Sequence, residues 1–194
     1  MSVTIRHGLP EHHREAATRL YWQAFGPKLG RVLGPEDKAL RFIARAICAD
    51  RCYVALDAQG RLLGLAGYRT AEGSFAGGTA DDLRAVYGRF GGWWRMLVLQ
   101  LLSDEPETER FLLDGLCVAG PAQGQGIGTL LLDAICDEAR QRGFPAVRLD
   151  VIDSNPRAIA LYERRGFVTQ ATAPLGALRF VFGFRAAHKM VRAL

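Results

Sequence analysis

The chain has 194 residues, 49% of them apolar and 23% charged, with a formal net charge of +5. That length buries a core without a disulfide or metal staple, and the composition is that of an ordinary globular protein. The positive excess suits a phosphorylated small molecule, whereas Arg and Lys are scattered rather than gathered in a stripe, which argues against nucleic acid. No window reaches the roughly 18 apolar residues of a membrane span, and the opening stretch MSVTIRHGLPEHHREAA lacks the apolar run of a secretory signal.

Cys48, Cys52, Cys117 and Cys136 form no CxxC pair, and three of them sit in apolar runs, as buried thiols of a reducing compartment do. His7, His12, His13 and His188 show no ligand spacing, so no metal is expected. The expectation is one cytoplasmic domain over residues 1–194 with no membrane or nucleic-acid partner, and a homodimer is compatible with it.

SVTIR, residues 2–6, alternates like a strand that Gly8-Leu9-Pro10 ends. A helix from Glu11 carries Ala16, Leu20, Trp22, Ala24 and Phe25 inward, with breaks at Gly26-Pro27 and Gly34-Pro35; another starts near Glu36 with Leu40, Ile43, Ala44 and Ile47 at helical spacing. CYVALDAQGRLLGLAGYRT reads as a hairpin turning between Asp57 and Gly60. AEGSFAGGT is a glycine-rich loop, and DDLRAVYGRFGGWWRMLVLQLL a helix broken at Gly88 and at Gly91-Gly92. Its apolar run, residues 93–102, is expected to face the core, the alternative being a partner-binding or membrane-surface patch.

The second half alternates strand and helix: FLLDGLCVA, then QGQGIG, then a helix with Ile127, Leu130, Leu131, Ala134 and Ile135 on one face, then AVRLDVI, then NPRAIALYERRG. That order implies a right-handed crossover and local parallel pairing. Two further strands close the chain around Pro174 to Gly176. The fold class is mixed α/β.

The first backbone N–H groups of a helix have no internal partner and carry partial positive charge. A loop of Gly124, Gln125, Gly126, Ile127 and Gly128 running into a helix can therefore turn several N–H groups on one anion, with glycine letting the backbone come close. No Lys follows these glycines, which rules out a nucleotide-triphosphate P-loop of the form GxxxxGK[ST]. A dinucleotide site of the form GxGxxG stays open, with Thr129 in place of its third glycine and Asp150 at a distance suited to a ribose. A glycine-rich helix start that binds nothing is the third reading.

SNPRAIALYERRGF, residues 154–167, supplies a second pattern. Asn155 is a good N-cap, Pro156 fits the first helical position, Gly166 closes the helix, and Ala158, Leu161, Tyr162 and Arg165 share a face. Tyr162 taken alone is as well explained as a packed core phenol.

Together LDGLCVAG, the Gln123-led QGQGIG and the N-x-x-A-x-x-L-Y-E-x-x-G-F stretch resemble the GNAT N-acetyltransferase family over residues 111–167. The resemblance implies a mostly antiparallel central sheet with a splayed parallel strand pair, flanked by helices, and acetyl-CoA as cofactor. The cofactor's pyrophosphate would lie on the N–H groups of Gln123, Gly124, Gln125, Gly126, Ile127, Gly128 and Thr129. Its pantetheine arm would lie along Leu116, Cys117 and Val118, with Asn155 and Ala158 beside it. Tyr162 would protonate the departing thiolate, a phenol of ordinary pKa about 10 being protonated at neutral pH. A backbone N–H, that of Val118, would polarise the thioester carbonyl.

Asp114 is the candidate base, on the strand face of Leu112, Leu116 and Val118; family members carry a glutamate at the position of Leu112, so Asp114 is offset by one strand repeat. A surface or helix-capping partner is the alternative reading of Asp114, and a water relay to solvent is the alternative to any single base. By the same resemblance the acceptor would be lined by Tyr21, Trp22, Phe25, Arg31 and Phe75, an aromatic set with few carboxylates that points to a small amine. A protein amine, or a non-catalytic acyl-CoA sensor, are the alternative functions.

Overall fold

The structure, a computed structural model, describes residues 2–102, 111–176 and 183–194. Its elements in chain order are β1 (Val3–His7), α1 (Arg14–Leu33), α2 (Glu36–Ala46), β2 (Cys52–Asp57), β3 (Leu62–Thr70), β4 (Gly73–Ser74) and α3 (Ala80–Leu102). There follow β5 (Phe111–Val118), α4 (Ile127–Gln141), β6 (Ala146–Ile152), α5 (Pro156–Arg164), β7 (Val168–Pro174) and β8 (Ala186–Ala193). The described strands form one open sheet in the order β1-β2-β3-β5-β6-β8-β7, with β4 paired to β3. Every pairing is antiparallel except β5 with β6, so the mixed, mostly antiparallel sheet expected from the sequence is present.

Each face of the sheet buries its own core. On one face, α4 covers Phe111, Leu113, Val147 and Leu149 with Leu131, Leu132 and Ile135. On the other, α1 and α2 bring Ala17, Leu20, Tyr21, Phe42 and Ile43 over Val54, Leu65 and Cys117. The helix faces differ from simple periodicity at several positions. Leu130 is 44% exposed and Leu132 is buried in its place, while on α1 Ala17 and Tyr21 point inward rather than Ala16 and Ala24.

The expected break at Gly26-Pro27 is absent, because α1 runs through Pro27 to Leu33. The Trp22 indole lies over Gly26, where a Cβ would come within 3.1 Å of it, and Val32 and Leu33 are buried beyond; this packing offsets the hydrogen bond that Pro27 cannot make. The break at Gly34-Pro35 does occur.

In α3 the helix kinks at Gly88, whose φ of 75° and ψ of 174° leave helical space. The run that follows does not face the core throughout. Met96 and Leu99 pack on the α1–α2 core, whereas Phe90, Trp93 and Leu97 are 81%, 62% and 44% exposed. A helix at the periphery buries one stripe, and an apolar run longer than that stripe must show the remainder to solvent. No helix among the described residues is long and apolar enough to cross a membrane.

In β5 the alternation is interrupted once. Gly115 pairs with Gly67 and Leu113 with Tyr68, so Asp114 is an extra residue with no opposite number, a bulge. Leu116 and Val118 therefore fall on the face of Phe111 and Leu113 rather than on that of Leu112, which corrects the face assignment made for Asp114.

The far end of α4 is pinned by a polar network. Glu138 is buried and accepts from the Tyr53 hydroxyl and from Arg142 Nε, both at 2.7 Å, and Arg142 also donates to the Tyr68 hydroxyl at 2.9 Å. Burial pushes the Glu138 carboxyl up, but the Tyr53 and Arg142 hydrogen bonds outweigh it and hold the carboxyl below its usual range. A lowered carboxyl contributes stability above its ordinary value and loses it as pH falls through the lowered one. Replacing it by Gln (Glu138→Gln) should cost on the order of 2 kcal/mol at neutral pH. It should also flatten the acid-side decline in stability, read as urea midpoints at neutral and acid pH for both proteins.

Candidate active site

The bulge determines where the sheet opens. Beside it, Phe111, Leu112 and Leu113 pair with Val147, Arg148 and Leu149, and there the β5–β6 ladder stops. β5 continues against β3 as far as Val118, but its other edge has parted from β6. The gap widens into a cleft of about 850 Å³. Its walls are the outer edges of β5 and β6, the start of α4, and one side of α5.

The backbone on that edge has a fixed direction. Ala119 N–H donates to Leu63 C=O of the β3 side at 2.8 Å, so the N–H of Val118, one residue earlier, points the other way, into the gap. Val118 C=O also faces that side and accepts from Gln123 Nε2 at 3.1 Å.

Where the cleft is widest, the loop between β5 and α4 turns its amides outward. Gly124 and Gly126 have φ of 78° and 79°, left-handed conformations that glycine adopts at little cost. Gln123 N–H is taken by Gly120 C=O and Thr129 N–H by Gly126 C=O. The N–H groups of Gly124, Gln125, Gly126, Ile127 and Gly128 have no acceptor among the described residues. The run of N–H groups without an acceptor is thus shorter by one residue at each end than residues 123–129. At Gly128 a Cβ would meet Leu161 at 3.3 Å, so the first turn of α4 lies directly against α5.

α5 is held at both ends. Asn155 Oδ1 accepts from Ala158 N–H at 3.2 Å, the N-cap read from the sequence. At the other end Gly166 (φ 81°) donates to Glu163 C=O at 2.9 Å and Phe167 N–H to Tyr162 C=O at 3.0 Å, a Schellman closure. Arg165 binds Asp133 of α4, with Nε at 3.1 Å. Tyr162, 7% exposed, is fixed within this frame and lines the cleft. Burial raises its phenol to about 12, with Cys117 adding to the effect.

Asp114 lines the same cleft and is held from the β3–β4 side: Ser74 Oγ donates at 2.5 Å, Ala76 N–H at 3.1 Å, and Arg69 Nη2 stands 3.5 Å away.

Of the residues singled out from the sequence, the cleft brings together Tyr162, Asp114, Leu116, Val118, Gln123, Gly124, Gly126, Ile127, Gly128, Thr129, Asn155, Ala158 and Phe25. Cys117 lies outside it: its side chain is buried in the α1–α2 core, and burial lifts its thiol to about 12. Gln125 turns its side chain back to Pro121 C=O at 3.0 Å. Of the acceptor set, Tyr21 is buried behind Phe25, with ring centroids 4.4 Å apart, and Phe75 is wholly buried. Trp22 lies along its own helix, and Arg31 is exposed near the end of α1, away from the cleft walls.

Sequence reasoning missed Gly115 and Leu113 at the narrow end, weighed Asp150 only for a ribose, and passed over Arg157 and Arg164. The two arginines sit seven residues apart on α5, a spacing that puts both on one helix face and could have been read.

The cleft thus joins a row of unaccepted amides at one end to a pair of parted strands at the other. Residues 14–167 match the model of the acetyltransferase (GNAT) family, and the chain belongs to that family, whose members draw the acetyl group from acetyl-CoA. It is 37% identical over 83 residues to a mycothiol acetyltransferase of Jonesia denitrificans, covering 39% of this chain and 26% of that one. It is 49% identical over 70 residues to the [ribosomal protein bS18]-alanine N-acetyltransferase of Escherichia coli K12, covering 36% of this chain and 44% of that one. The chain thus spans less than half the length of either relative. The solved structure of a GCN5-related N-acetyltransferase from Kribbella flavida superposes with a TM-score of 0.65 at 19% identity, covering 99% and 98% of the two chains. An N-acetyltransferase from Staphylococcus aureus Mu50 does so at 0.67 and 14% identity, covering 97% and 100%. At these identities the two structures speak for the fold.

Three outcomes are expected by calorimetry. Gly126→Val should weaken acetyl-CoA binding by about 100-fold or more, since a β-branched residue resists a positive φ and the cradle would have to rearrange. Gly60→Val, equally strained at φ 76° but in the β2–β3 turn, should leave affinity unchanged. Reversing both rim charges, Arg157→Glu with Arg164→Glu, should weaken binding about tenfold at low salt, and the difference should shrink as salt is raised.

Proposed function

We propose that this protein is an N-acetyltransferase that moves the acetyl group of acetyl-CoA directly onto the primary amine of a small molecule. The observation that carries this reading is the meeting of a proton-bearing Tyr162 and the outward-facing amide edge of β5 in one cleft that ends in an N–H cradle. Bound acetyl-CoA supplies a thioester carbonyl as electrophile and a thiolate as leaving group.

The chain's residues have these roles. The five outward N–H groups of residues 124–128 hold the pyrophosphate, and open space around Gly124 and Gly126 leaves room for it beside the backbone. Leu116 and Val118 present the β5 edge to the pantetheine arm, and the Val118 N–H polarises the carbonyl oxygen. Tyr162 donates its phenolic proton to the sulfur as it leaves. Its raised pKa keeps that proton in place across the working pH range. The amine approaches from the α1 side, and Asp114 attracts it as an ammonium and takes its proton through water, its carboxylate already oriented by Ser74 and Ala76.

A protein amine is the second reading, favoured by the Escherichia coli relative, which is named for an alanine of ribosomal protein bS18. The Jonesia denitrificans relative, named for mycothiol, favours a small molecule. Four free cysteines, three of them buried, suit a reducing compartment, and the activity belongs to the cytoplasm on that reading.

A panel of small amines and N-terminal peptides, read by release of free CoA, decides between the two acceptors; tight acetyl-CoA binding with no turnover on any amine would instead indicate a sensor. Tyr162→Phe should lower kcat by about 100-fold, within the range of general acid catalysis, with acetyl-CoA affinity unchanged. The wild-type kcat should show no alkaline fall near pH 10, because the phenol deprotonates only near 12. An alkaline fall at the ordinary tyrosine value would remove Tyr162 from this role.

A further inference from the structure

The narrow end of the cleft is closed by an aromatic ring. Where β5 and β6 part, the lining comes from Leu113, Asp114 and Gly115 of β5, from Leu149 of β6, and from one side chain of the helix on the opposite face, Phe25 of α1. Phe25 reaches the gap because position 115 has no side chain. A Cβ there would lie 3.1 Å from Cζ and 3.3 Å from Cε2 of the ring.

The ring is backed in series. The Tyr21 centroid stands 4.4 Å from that of Phe25, and the Phe75 centroid 6.0 Å from that of Tyr21. Phe75 is wholly buried and pressed on Gly67, where no Cβ would fit. For the Phe25 ring to move toward the core, Tyr21 and Phe75 would have to move with it, and a close-packed core resists that.

The N–H cradle marks the opposite, wide end. A ligand held there by its phosphates, with its arm along the β5 edge, brings its acyl end to the place where β5 and β6 close. We infer that Phe25 sets the length of the acyl group, its ring forming an end wall that admits acetyl and turns away longer chains. This rests on the acyl-CoA reading of the cleft. Phe25 then faces the donor rather than forming part of a general acceptor pocket, and it acts as a specificity-determining residue with no part in proton transfer. A surplus methylene pressed on an unyielding apolar wall is discriminated by roughly tenfold or more.

Calorimetry with CoA, acetyl-CoA and butyryl-CoA tests this without an acceptor. Wild type should bind acetyl-CoA about tenfold or more tightly than butyryl-CoA, and Phe25→Ala should raise the butyryl-to-acetyl affinity ratio about tenfold or more, with Phe25→Leu intermediate. Affinity for CoA itself should stay unchanged, since the cradle is untouched. An equal ratio in all three proteins overturns the inference while leaving the cleft reading intact. Failure of CoA to bind wild type overturns the cleft reading, and the inference with it. Should Phe25→Ala not fold, the ratio for Phe25→Leu against wild type decides.

Discussion

A strand at the centre of a sheet must satisfy its backbone groups along both edges, and β5 does so along its length on one edge only. On the β3 side it is paired to Val118; on the β6 side the ladder ends at Leu113 and Leu149. Backbone N–H and C=O groups left at such an edge need partners from elsewhere. The site depends on this: the gap is lined by amides at fixed spacing, open to any extended arm that carries amides of its own. The extra residue at Asp114 changes the pleat where the gap begins, and the bare Gly115 lets a helix side chain stand against the strand there.

The two helices on the far side of the gap act as one piece. α4 begins at the loop and α5 carries Tyr162. They touch at Gly128 and Leu161 and are tied by Arg165 and Asp133. Both pack over the same core of Leu131, Ile135 and Phe167, while α4 is anchored to β2 and β3 at its other end through Glu138, Tyr53, Arg142 and Tyr68. The charged groups of the cleft are arranged around this frame: Arg157 and Arg164 along its rim, and Asp114 and Asp150 on the strands.

What the sequence made legible was local chemistry with its own geometry. Asn155, Pro156 and Gly166 state where a short helix starts and stops, and alternating glycines before an apolar helix state where amides turn outward; in each case the residue type answers a backbone requirement close by. The order of strands and helices in the second half, with its one parallel pair, was legible for the same reason.

Features that depend on partners far along the chain were not legible. Nothing within FLLDGLCV shows that Asp114 is an extra residue, because the bulge is defined against Gly67 and Tyr68 of another strand. Pro27 reads as a helix breaker until Trp22 is seen lying over Gly26. Phe75 reads as a pocket residue until Gly67 and Tyr21 enclose it, and residues 93–102 read as core until Trp93 and Leu97 are seen exposed on a peripheral helix, the side chains of 100–102 lying outside the described residues.

The contact between Gly128 and Leu161 has a consequence for how much the protein must rearrange when it works. The 124–128 loop and Tyr162 belong to one clamped unit, so the distance between those amides and the Tyr162 hydroxyl is set during folding. A ligand of fixed length then finds both ends of its site already spaced for it. On the proposed mechanism, the entropy of aligning donor and proton is lost once, when the chain folds, and is not lost again at each turnover.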